Sequence, residues 1–299
     1  MRILISGSTG LVGSTLARSL KAKGHEVLRL VRATPKNSAS EVFWYPEEGT
    51  LKAEELEGLD GVVHLAGESI AEGCWTDEKK RRIRESRIKG TTLLSETLAR
   101  LKQKPEVLVS ASAVGFYGSR GSEVLDERSA SGSDFLAEVC REWELATQPA
   151  AQAGVRVVNL RFGVILNGEG GALPKMLFPF RMGVGGKLGD GQQYMSWIAL
   201  DDAVGAIEHA LATDSLRGAV NVVAPAAVTN QEFTKTLGRV LSRPTIFPVP
   251  AFAARLLFGE MADATLLASQ RVEPARLKEA GYVFKYPELE GALRHVLNK

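Results

Sequence analysis

Residues 2–13, RILISGSTGLVG, decide the fold. The first five residues of this stretch are typical of a buried strand, and apolar residues at helical spacing begin at Leu11. Between the strand and the helix, Gly7, Gly10 and Gly13 form a GxxGxxG pattern. Glycines at this spacing permit a sharp turn, close approach of the backbone to a pyrophosphate and close packing of the helix on its strand. The pattern predicts a dinucleotide site at the helix N-terminus, with a purely structural glycine turn as the alternative.

Five further strand-like segments follow, at residues 26–31, 42–45, 61–66, 107–110 and 156–160. Helical patterns lie between most of them, over residues 11–23, 77–101 and 135–151. Strands that alternate with helices form a parallel sheet covered by helices on both faces. The sequence therefore predicts an α/β protein with a Rossmann-type, doubly wound parallel sheet.

The composition changes beyond the sixth strand-like segment. Glycines are frequent in residues 167–193, a proline-rich segment follows at 243–252, and the end is mostly helical. We expect a cofactor-binding Rossmann domain over residues 1–166, with contributions from 196–225. Residues 167–299 are expected to form a smaller C-terminal substrate lobe packed on the sheet.

Composition excludes several classes of function. The 37 lysines and arginines nearly balance the 35 aspartates and glutamates, which argues against a nucleic-acid or membrane-surface partner. Two cysteines, Cys74 and Cys140, imply no disulfide framework and fit a reducing compartment. The chain shows neither a signal-peptide pattern nor an apolar run long enough for a membrane span, so we expect a cytoplasmic protein. The histidines and cysteines lack metal-ligand spacing, and no metal site is expected.

The end of the second strand-like segment indicates which dinucleotide binds. NAD sites usually carry an acidic residue there, which binds the ribose 2′-hydroxyl, but residues 27–40 contain no carboxylate. Arg32 stands where it can pair with a 2′-phosphate, with Arg29 or Lys36 as possible helpers. The sequence therefore predicts NADP as the cofactor. The alternative is that Arg32 is a solvated charge at a strand end.

These features together resemble the short-chain dehydrogenase/reductase superfamily, in its extended, sugar-nucleotide-epimerase-like branch. The likeness covers nearly the whole chain and includes SAS at 110–112, FYG at 116–118, LRFG at 160–163 and the stretch from GDGQQ at 189–193 to DD at 201–202. The segments LAGES, ESRIKGT, FLAEVCREWE and LFPFRMGVGGKLGDGQQYMSWI are similar to an atypical epimerase-family group of unsettled substrate. The resemblance implies a small-molecule substrate, with a nucleotide-linked one as an option.

One element of the family pattern is missing. Active members carry Tyr-x-x-x-Lys, in which the lysine lowers the tyrosine pKa and holds the nicotinamide ribose. None of the five tyrosines is followed four residues later by lysine. Laying the family helix over FLAEVCREWE puts Leu136 at the tyrosine position and Cys140 at the lysine position, where neither can move a proton as that pair does. We expect Cys140 to be a small buried hydrophobe rather than a nucleophile.

Two hydroxyls are the candidate proton donors. By the resemblance, Ser112 keeps the position of the family's hydroxyl helper. Tyr117 follows the fifth strand and should face the nicotinamide end of the groove, with a packing role as the alternative.

On the long helix, Arg82 and Arg87 are separated by about 140° around the helix axis, so at most one of them faces the cleft squarely. By the resemblance, the ESR segment implies that Arg87 faces the cofactor. The rest of the KKRRIR run at 79–84 is expected to be a solvated face.

The glycine turn and the resemblance together define the expected cofactor site. His64, inside an apolar strand, is expected to be a satisfied core histidine. The predicted cofactor contacts are Gly7, Thr9, Gly10, Leu11, Val12, Gly13, Val31, Arg32, Leu65, Ala66, Gly67, Glu68, Arg82, Arg87, Ser110 and Gly163.

Two hypotheses about function remain open. The intact groove favours an NADP-dependent oxidoreductase or sugar-nucleotide epimerase. The missing tyrosine and lysine favour a non-catalytic protein that holds NADP as a redox-sensing or regulatory ligand. General acid catalysis typically contributes about 10²–10⁴-fold, so its loss would not by itself abolish hydride transfer.

Overall fold

The computed structural model describes residues 1–299. Its strands, in chain order, are β1 (Arg2–Ser6), β2 (Glu26–Val31), β3 (Glu41–Tyr45), β4 (Thr50–Leu51), β5 (Gly61–His64), β6 (Val107–Ala113), β7 (Val124–Leu125), β8 (Arg156–Phe162), β9 (Val164–Leu166), β10 (Tyr194–Met195), β11 (Trp197–Ala199), β12 (Gly218–Val222), β13 (Val228–Thr229) and β14 (Arg271–Val272). Its helices are α1 (Leu11–Ala22), α2 (Asp77–Arg100), α3 (Phe135–Leu145), α4 (Gln148–Gln152), α5 (Leu173–Arg181), α6 (Leu200–Ala212), α7 (Asn230–Leu241), α8 (Ala251–Phe258), α9 (Ala275–Glu279) and α10 (Leu289–Val296).

The central sheet has eight strands in the order β12-β8-β6-β5-β1-β2-β3-β4. Every pairing in it is parallel except that of β4, which pairs antiparallel with β3 at one edge. The predicted Rossmann-type α/β fold is confirmed, and β12 adds a seventh parallel strand to the six expected. The chain moves outward from β1 through β2 and β3, then crosses back to β5. Ligands of such sheets bind beside this reversal, at the carboxyl ends of the strands.

Helices cover both faces of the sheet, which is why its strands are apolar on both sides. A cluster of 22 buried residues joins one face to α1 and α6, with Leu16 and Ile207 among them. A second cluster of 15 joins the other face to α2 and α4, with Leu94 and Leu98 among them. The reversal point of the sheet is therefore held between two packed layers.

The C-terminal part of the chain has a buried cluster of its own. It comprises 13 residues and is built largely by α5, α7 and α10, through residues such as Leu177, Phe233 and Leu293. By contrast, α6 and β12 pack with the central sheet. No helix is both long enough and apolar enough to cross a bilayer. The division of the chain into a cofactor domain and a substrate lobe stays a prediction.

The single helix expected over residues 135–151 is in fact two. The first, α3, ends at Leu145, and the short α4 begins at Gln148. The break precedes Pro149, whose nitrogen cannot donate the hydrogen bond that a continuous helix would need there, whereas proline is tolerated in the first turn of the new helix α4.

Candidate functional site

The turn between β1 and α1 leaves no room for side chains at two of its glycines. Gly7 has φ of 66°, and a Cβ there would lie 2.8 Å from the carbonyl carbon of Leu65. A Cβ on Gly13 would overlap the carbonyl oxygen of Gly7 and lie 2.9 Å from its carbonyl carbon. The ends of β1 and β5 are therefore in backbone contact, and α1 packs directly on the turn. Both contacts explain why glycine is required.

The N-terminus of α1 is open to a ligand. Gly10 caps it without a side chain, and its first turn contains no acidic residue. The first backbone bond of the helix runs from Ser14 N–H to the Gly10 carbonyl, at 2.9 Å. The N–H groups of the three residues between them, Leu11, Val12 and Gly13, are free to bind anionic oxygens. This cradle fits the pyrophosphate of a dinucleotide.

A glycine-rich loop of the C-terminal part lies beside the same helix end. Side-chain carbons of Leu11 lie 3.3 Å and 3.2 Å from the positions that a Cβ would take on Gly170 and Gly171. The exposed Thr9 precedes the helix in the turn. The loop after β9 therefore forms one wall at the pyrophosphate end of the groove, a contact that local sequence patterns do not reveal.

Arg32 directly follows β2 and its side chain is exposed. Of the two suggested helpers, Lys36 is exposed like Arg32, whereas Arg29 differs from it. Arg29 pairs with Glu41, whose second oxygen accepts the backbone N–H of Lys36 at 2.6 Å. Because the charge of Arg29 is neutralised, Arg32 is the guanidinium at this strand end that has no carboxylate within ion-pair distance. Its position suits a 2′-phosphate.

A buried hydrogen-bond group shapes the end of β5. Ser6 Oγ accepts the N–H groups of Leu65 and Ala66, at 3.0 and 3.2 Å, and lies 2.6 Å from His64 Nδ1. Because this oxygen accepts two N–H groups, its own proton is donated to Nδ1. Burial lowers the pKa of His64 to about 4, so its ring is neutral at physiological pH. His64 is a core residue as expected, although its Nε2 has no hydrogen-bond partner.

Glu68 anchors the N-terminal part of α2 to the loop after β5. Its carboxylate lies 2.7 Å from Lys79 Nζ and 3.8 Å from Arg82 Nε. The hydrogen bond from Lys79 is the main cause that holds the pKa of Glu68 below its usual value. The expectation of a solvated face for 79–84 is wrong at Lys79, which is only 5% exposed. A lysine can be buried when its ammonium is paired. Lys79 stands four residues before Ile83 and so shares a helix face with this apolar residue, a spacing from which its burial could have been predicted.

Arg82 and Arg87 lie in different environments. Arg82 is exposed and pairs with Glu78 at 3.0 Å. Arg87 is directed inward, where its Cζ lies 3.4 Å from the position of a Cβ on Gly67 and 5.0 Å from the centroid of the Trp143 ring. Burial lowers the pKa of Arg87, although a guanidinium stays protonated at any physiological pH. Its nearest acceptor is a carbonyl of its own helix.

The two hydroxyls proposed as proton donors belong to one buried network. Ser112 Oγ donates to Glu144 at 2.7 Å, and Arg161 binds the same carboxylate with two N–H groups at 2.7 and 2.8 Å. Tyr117 accepts a third N–H of Arg161 at 3.0 Å and donates to Asn221 Oδ1 at 2.7 Å. The Tyr117 side chain is fully buried, and burial raises its pKa. The catalytic roles of Ser112 and Tyr117 stay predictions, since both protons are directed to protein partners.

Arg161, at the centre of that network, is a functional residue that the sequence patterns did not indicate. Arg161 is 4% exposed and lies in the buried strand β8, with its Cζ 3.4 Å from the centroid of the Phe116 ring. A charge inside a buried strand needs an opposite charge, and this rule could have predicted a carboxylate beside it. It could not have identified Glu144.

The face of α3 that carries the tyrosine and lysine in related enzymes is apolar here. A Cβ on Gly115 would lie 3.4 Å from Leu136 Cβ and 3.9 Å from Cys140 Sγ, so both residues face the turn after β6. Burial raises the pKa of Cys140 to about 12, so the group is a neutral thiol. Cys140 is a buried small residue, as expected.

Two further predicted cofactor contacts have distinct surroundings. Ser110 is buried on β6 in register with His64, and its hydroxyl has no hydrogen-bond partner. A Cβ on Gly163 would lie 2.6 Å from the carbonyl oxygen of Ser196, so packing explains this glycine. Cofactor contact by either residue stays a prediction.

Comparison with known proteins assigns the family. Residues 3–223 match the model of the NAD dependent epimerase/dehydratase family. The chain belongs to this family. Residues 249–296 match a domain of unknown function (DUF1731). The resemblance noted from the sequence motifs is confirmed.

Relatives match over the full length of the chain. Epimerase family protein Mb2239 of Mycobacterium bovis is 44% identical over 297 residues, which cover 99% of this chain and 98% of the relative. The crystal structure of human epimerase family protein SDR39U1 (isoform 2) with NADPH has a TM-score of 0.92 at 33% identity and covers 100% of both chains. A structure of the nucleoside-diphosphate sugar epimerase from Corynebacterium glutamicum has a TM-score of 0.81 at 42% identity, covering 99% of this chain and 58% of that one. The NADPH of the human relative agrees with the cofactor predicted from Arg32.

Proposed function

We propose that this protein binds NADPH and acts as an NADP-linked oxidoreductase or epimerase-like protein on a small polar substrate. The observation that carries the proposal is the glycine turn, whose open helix end lies beside a strand that ends in the unpaired Arg32. The NADPH in the human relative supports the same cofactor.

Different residues of the groove would bind different parts of NADPH. The free N–H groups at the start of α1 would hold the pyrophosphate, and Arg32 would hold the 2′-phosphate. Backbone at Leu65 and Ala66, fixed by Ser6, would lie beside the adenosine. NADPH, when bound, supplies a hydride. The protein must then orient a substrate and stabilise the charge that develops on it.

A nucleotide-linked substrate is the option that the Corynebacterium relative supports, since its name is that of a nucleoside-diphosphate sugar epimerase. Turnover is expected to be slow. Leu136 and Cys140 offer no acid where the family resemblance places one, which leaves Ser112 and Tyr117, at the end of β6 and in the turn after it, as the candidate hydroxyl donors. Their hydrogen bonds to Glu144 and Asn221 fit a positioning role as well as a catalytic one.

The second candidate function is an NADPH-binding protein without turnover. This function is favoured by the neutral thiol of Cys140. It is also favoured by the hydroxyl protons of Ser112 and Tyr117, which are donated to Glu144 and Asn221. NADPH oxidation against a panel of carbonyl compounds and sugar nucleotides distinguishes the two functions. Turnover by the wild type that is lost in Ser112→Ala at unchanged NADPH affinity would establish the enzyme. No turnover of any compound favours the binding protein.

The cofactor assignment has a direct test in fluorescence titrations with NADPH and NADH. A charge-assisted contact to the 2′-phosphate contributes about 1.5–3 kcal/mol, so we expect a preference of about ten- to 150-fold for NADPH. Arg32→Ala should remove this preference. Arg29→Ala is the matched control, because Arg29 is already paired with Glu41. Equal affinities in the wild type, or a preference that survives in Arg32→Ala, would refute the assignment.

A further inference from the structure

Related enzymes place a lysine on the helix that corresponds to α3, and this chain has Cys140 at that position. A cation from a different helix lies close to the same place. We propose that Arg87 of α2 replaces the family lysine and donates hydrogen bonds to the nicotinamide ribose of NADPH. The proposal rests on the cofactor assignment above and adds a residue for the nicotinamide half of the groove.

Arg87 occupies an inward position on α2. Ile83, Gly90 and Leu94, at helical spacing before and after it, are all buried. Arg87 itself is half-buried. A charge that is partly removed from water needs an anion or hydrogen-bond acceptors to replace the lost hydration.

The guanidinium lies between the loop after β5 and α3. Gly67 borders it on one side and the Trp143 ring on the other. Cys140 stands one helical turn before Trp143 on α3. The cation of Arg87 therefore lies against the part of α3 that carries the residue in the place of the family lysine.

Arg87 differs from its neighbours in lacking a carboxylate. Lys79 pairs with Glu68, Arg82 with Glu78 and Arg84 with Glu142. By contrast, Arg87 donates one N–H to the carbonyl of Ile83, at 2.9 Å. A guanidinium has five N–H donors, so four have no protein acceptor.

A bound ribose would satisfy these donors. Its two vicinal hydroxyls present adjacent oxygens, and the planar fork of a guanidinium can bind two adjacent oxygens at once. Gly67 keeps the approach open, since a side chain there would contact the guanidinium. A methionine at position 87 would retain the length of the side chain and remove every donor.

The experiment compares a whole cofactor with a fragment that lacks the nicotinamide half. Wild type, Arg87→Met and Arg84→Met are titrated with NADPH and with adenosine 2′,5′-bisphosphate by calorimetry. Arg87→Met should bind NADPH about tenfold or more weakly and the fragment as the wild type does. Arg84→Met, which removes a paired charge on the same helix, should bind both ligands normally. Arg87→Lys should recover part of the loss.

Unfolding temperatures of the ligand-free proteins separate binding from structure. Arg87→Met should melt close to the wild-type temperature, since methionine keeps a side chain of similar length and removes a half-buried charge that no carboxylate pairs. Normal NADPH binding by Arg87→Met would overturn the proposal, as would an equal loss for both ligands with a lower unfolding temperature. A wild type that binds neither ligand would refute the cofactor assignment and this proposal with it.

Discussion

Replacing Gly13 by alanine tests the contact between α1 and the glycine turn. The added Cβ would overlap the carbonyl oxygen of Gly7 and lie 2.9 Å from its carbon and 3.0 Å from the Cα of Ser8. These are backbone atoms, so no side-chain rotation relieves the overlap. The helix must therefore move away from β1, and its N-terminal N–H groups move with it.

The structure permits an estimate of the cost. Overpacking in a tightly packed interior typically costs about 1–3 kcal/mol. Alanine recovers about 0.5–1 kcal/mol of this, because it favours a helix interior more than glycine does. We expect the free energy of unfolding to fall by about 1–2 kcal/mol and NADPH affinity to fall by at least about tenfold, since the pyrophosphate cradle is displaced.

Urea unfolding and NADPH titration measure the two effects. Gly291→Ala is the matched control, because Gly291 is exposed within α10 and a Cβ there would meet no atom within 4 Å. This control should gain about 0.5–1 kcal/mol of stability and bind NADPH normally. If Gly13→Ala were as stable as Gly291→Ala and bound NADPH like the wild type, the helix contact would not support the cofactor site.

Two further predictions concern buried titratable groups of the core. Glu144→Leu leaves Arg161 buried without its carboxylate and should lower the free energy of urea unfolding by about 3–5 kcal/mol. Glu123→Ala, which breaks an exposed pair with Arg120, should cost at most about 1 kcal/mol, and equal losses would show that burial of the pair is unimportant. The second prediction uses the pKa of His64, which burial lowers from 6.5 to about 4. Between these pH values the unfolded chain takes up a proton that the folded protein does not. The free energy of unfolding should therefore fall by up to about 3 kcal/mol as the pH decreases through this range. Urea unfolding of wild type and His64→Asn across this window measures the effect, and curves that stay parallel would contradict it.

The chain order and local chemistry of the sequence were sufficient to predict the core of the fold. The alternation of strands and helices predicts the parallel sheet, and six of its strands were placed correctly. Gly7, Gly10 and Gly13 revealed the turn because their spacing is a local pattern between a strand and a helix. The atoms that exclude a side chain are local for Gly13, but for Gly7 they belong to Leu65 and Ala66 on a distant segment. Arg32 was identified in the same way, from the lack of any carboxylate in residues 27–40.

Some elements needed the tertiary structure to be recognised. The strand β12 has only five residues, and its place beside β8 depends on a segment more than 50 residues earlier in the chain. The end of β5 at His64 depends on Ser6, whose hydroxyl oxygen accepts hydrogen bonds from the N–H groups of Leu65 and Ala66. Neither pairing is visible in a local pattern.

The surroundings of the charged residues also came only from the tertiary structure. The sequence shows that Arg161, Ser112 and Tyr117 are polar groups near predicted strands. It does not show that Ser112 and Arg161 share Glu144, or that the proton of Tyr117 goes to a residue 104 positions later. Hydrogen bonds and ion pairs act over a few ångströms, so the chemistry of a side chain depends on neighbours that folding brings together from distant parts of the chain.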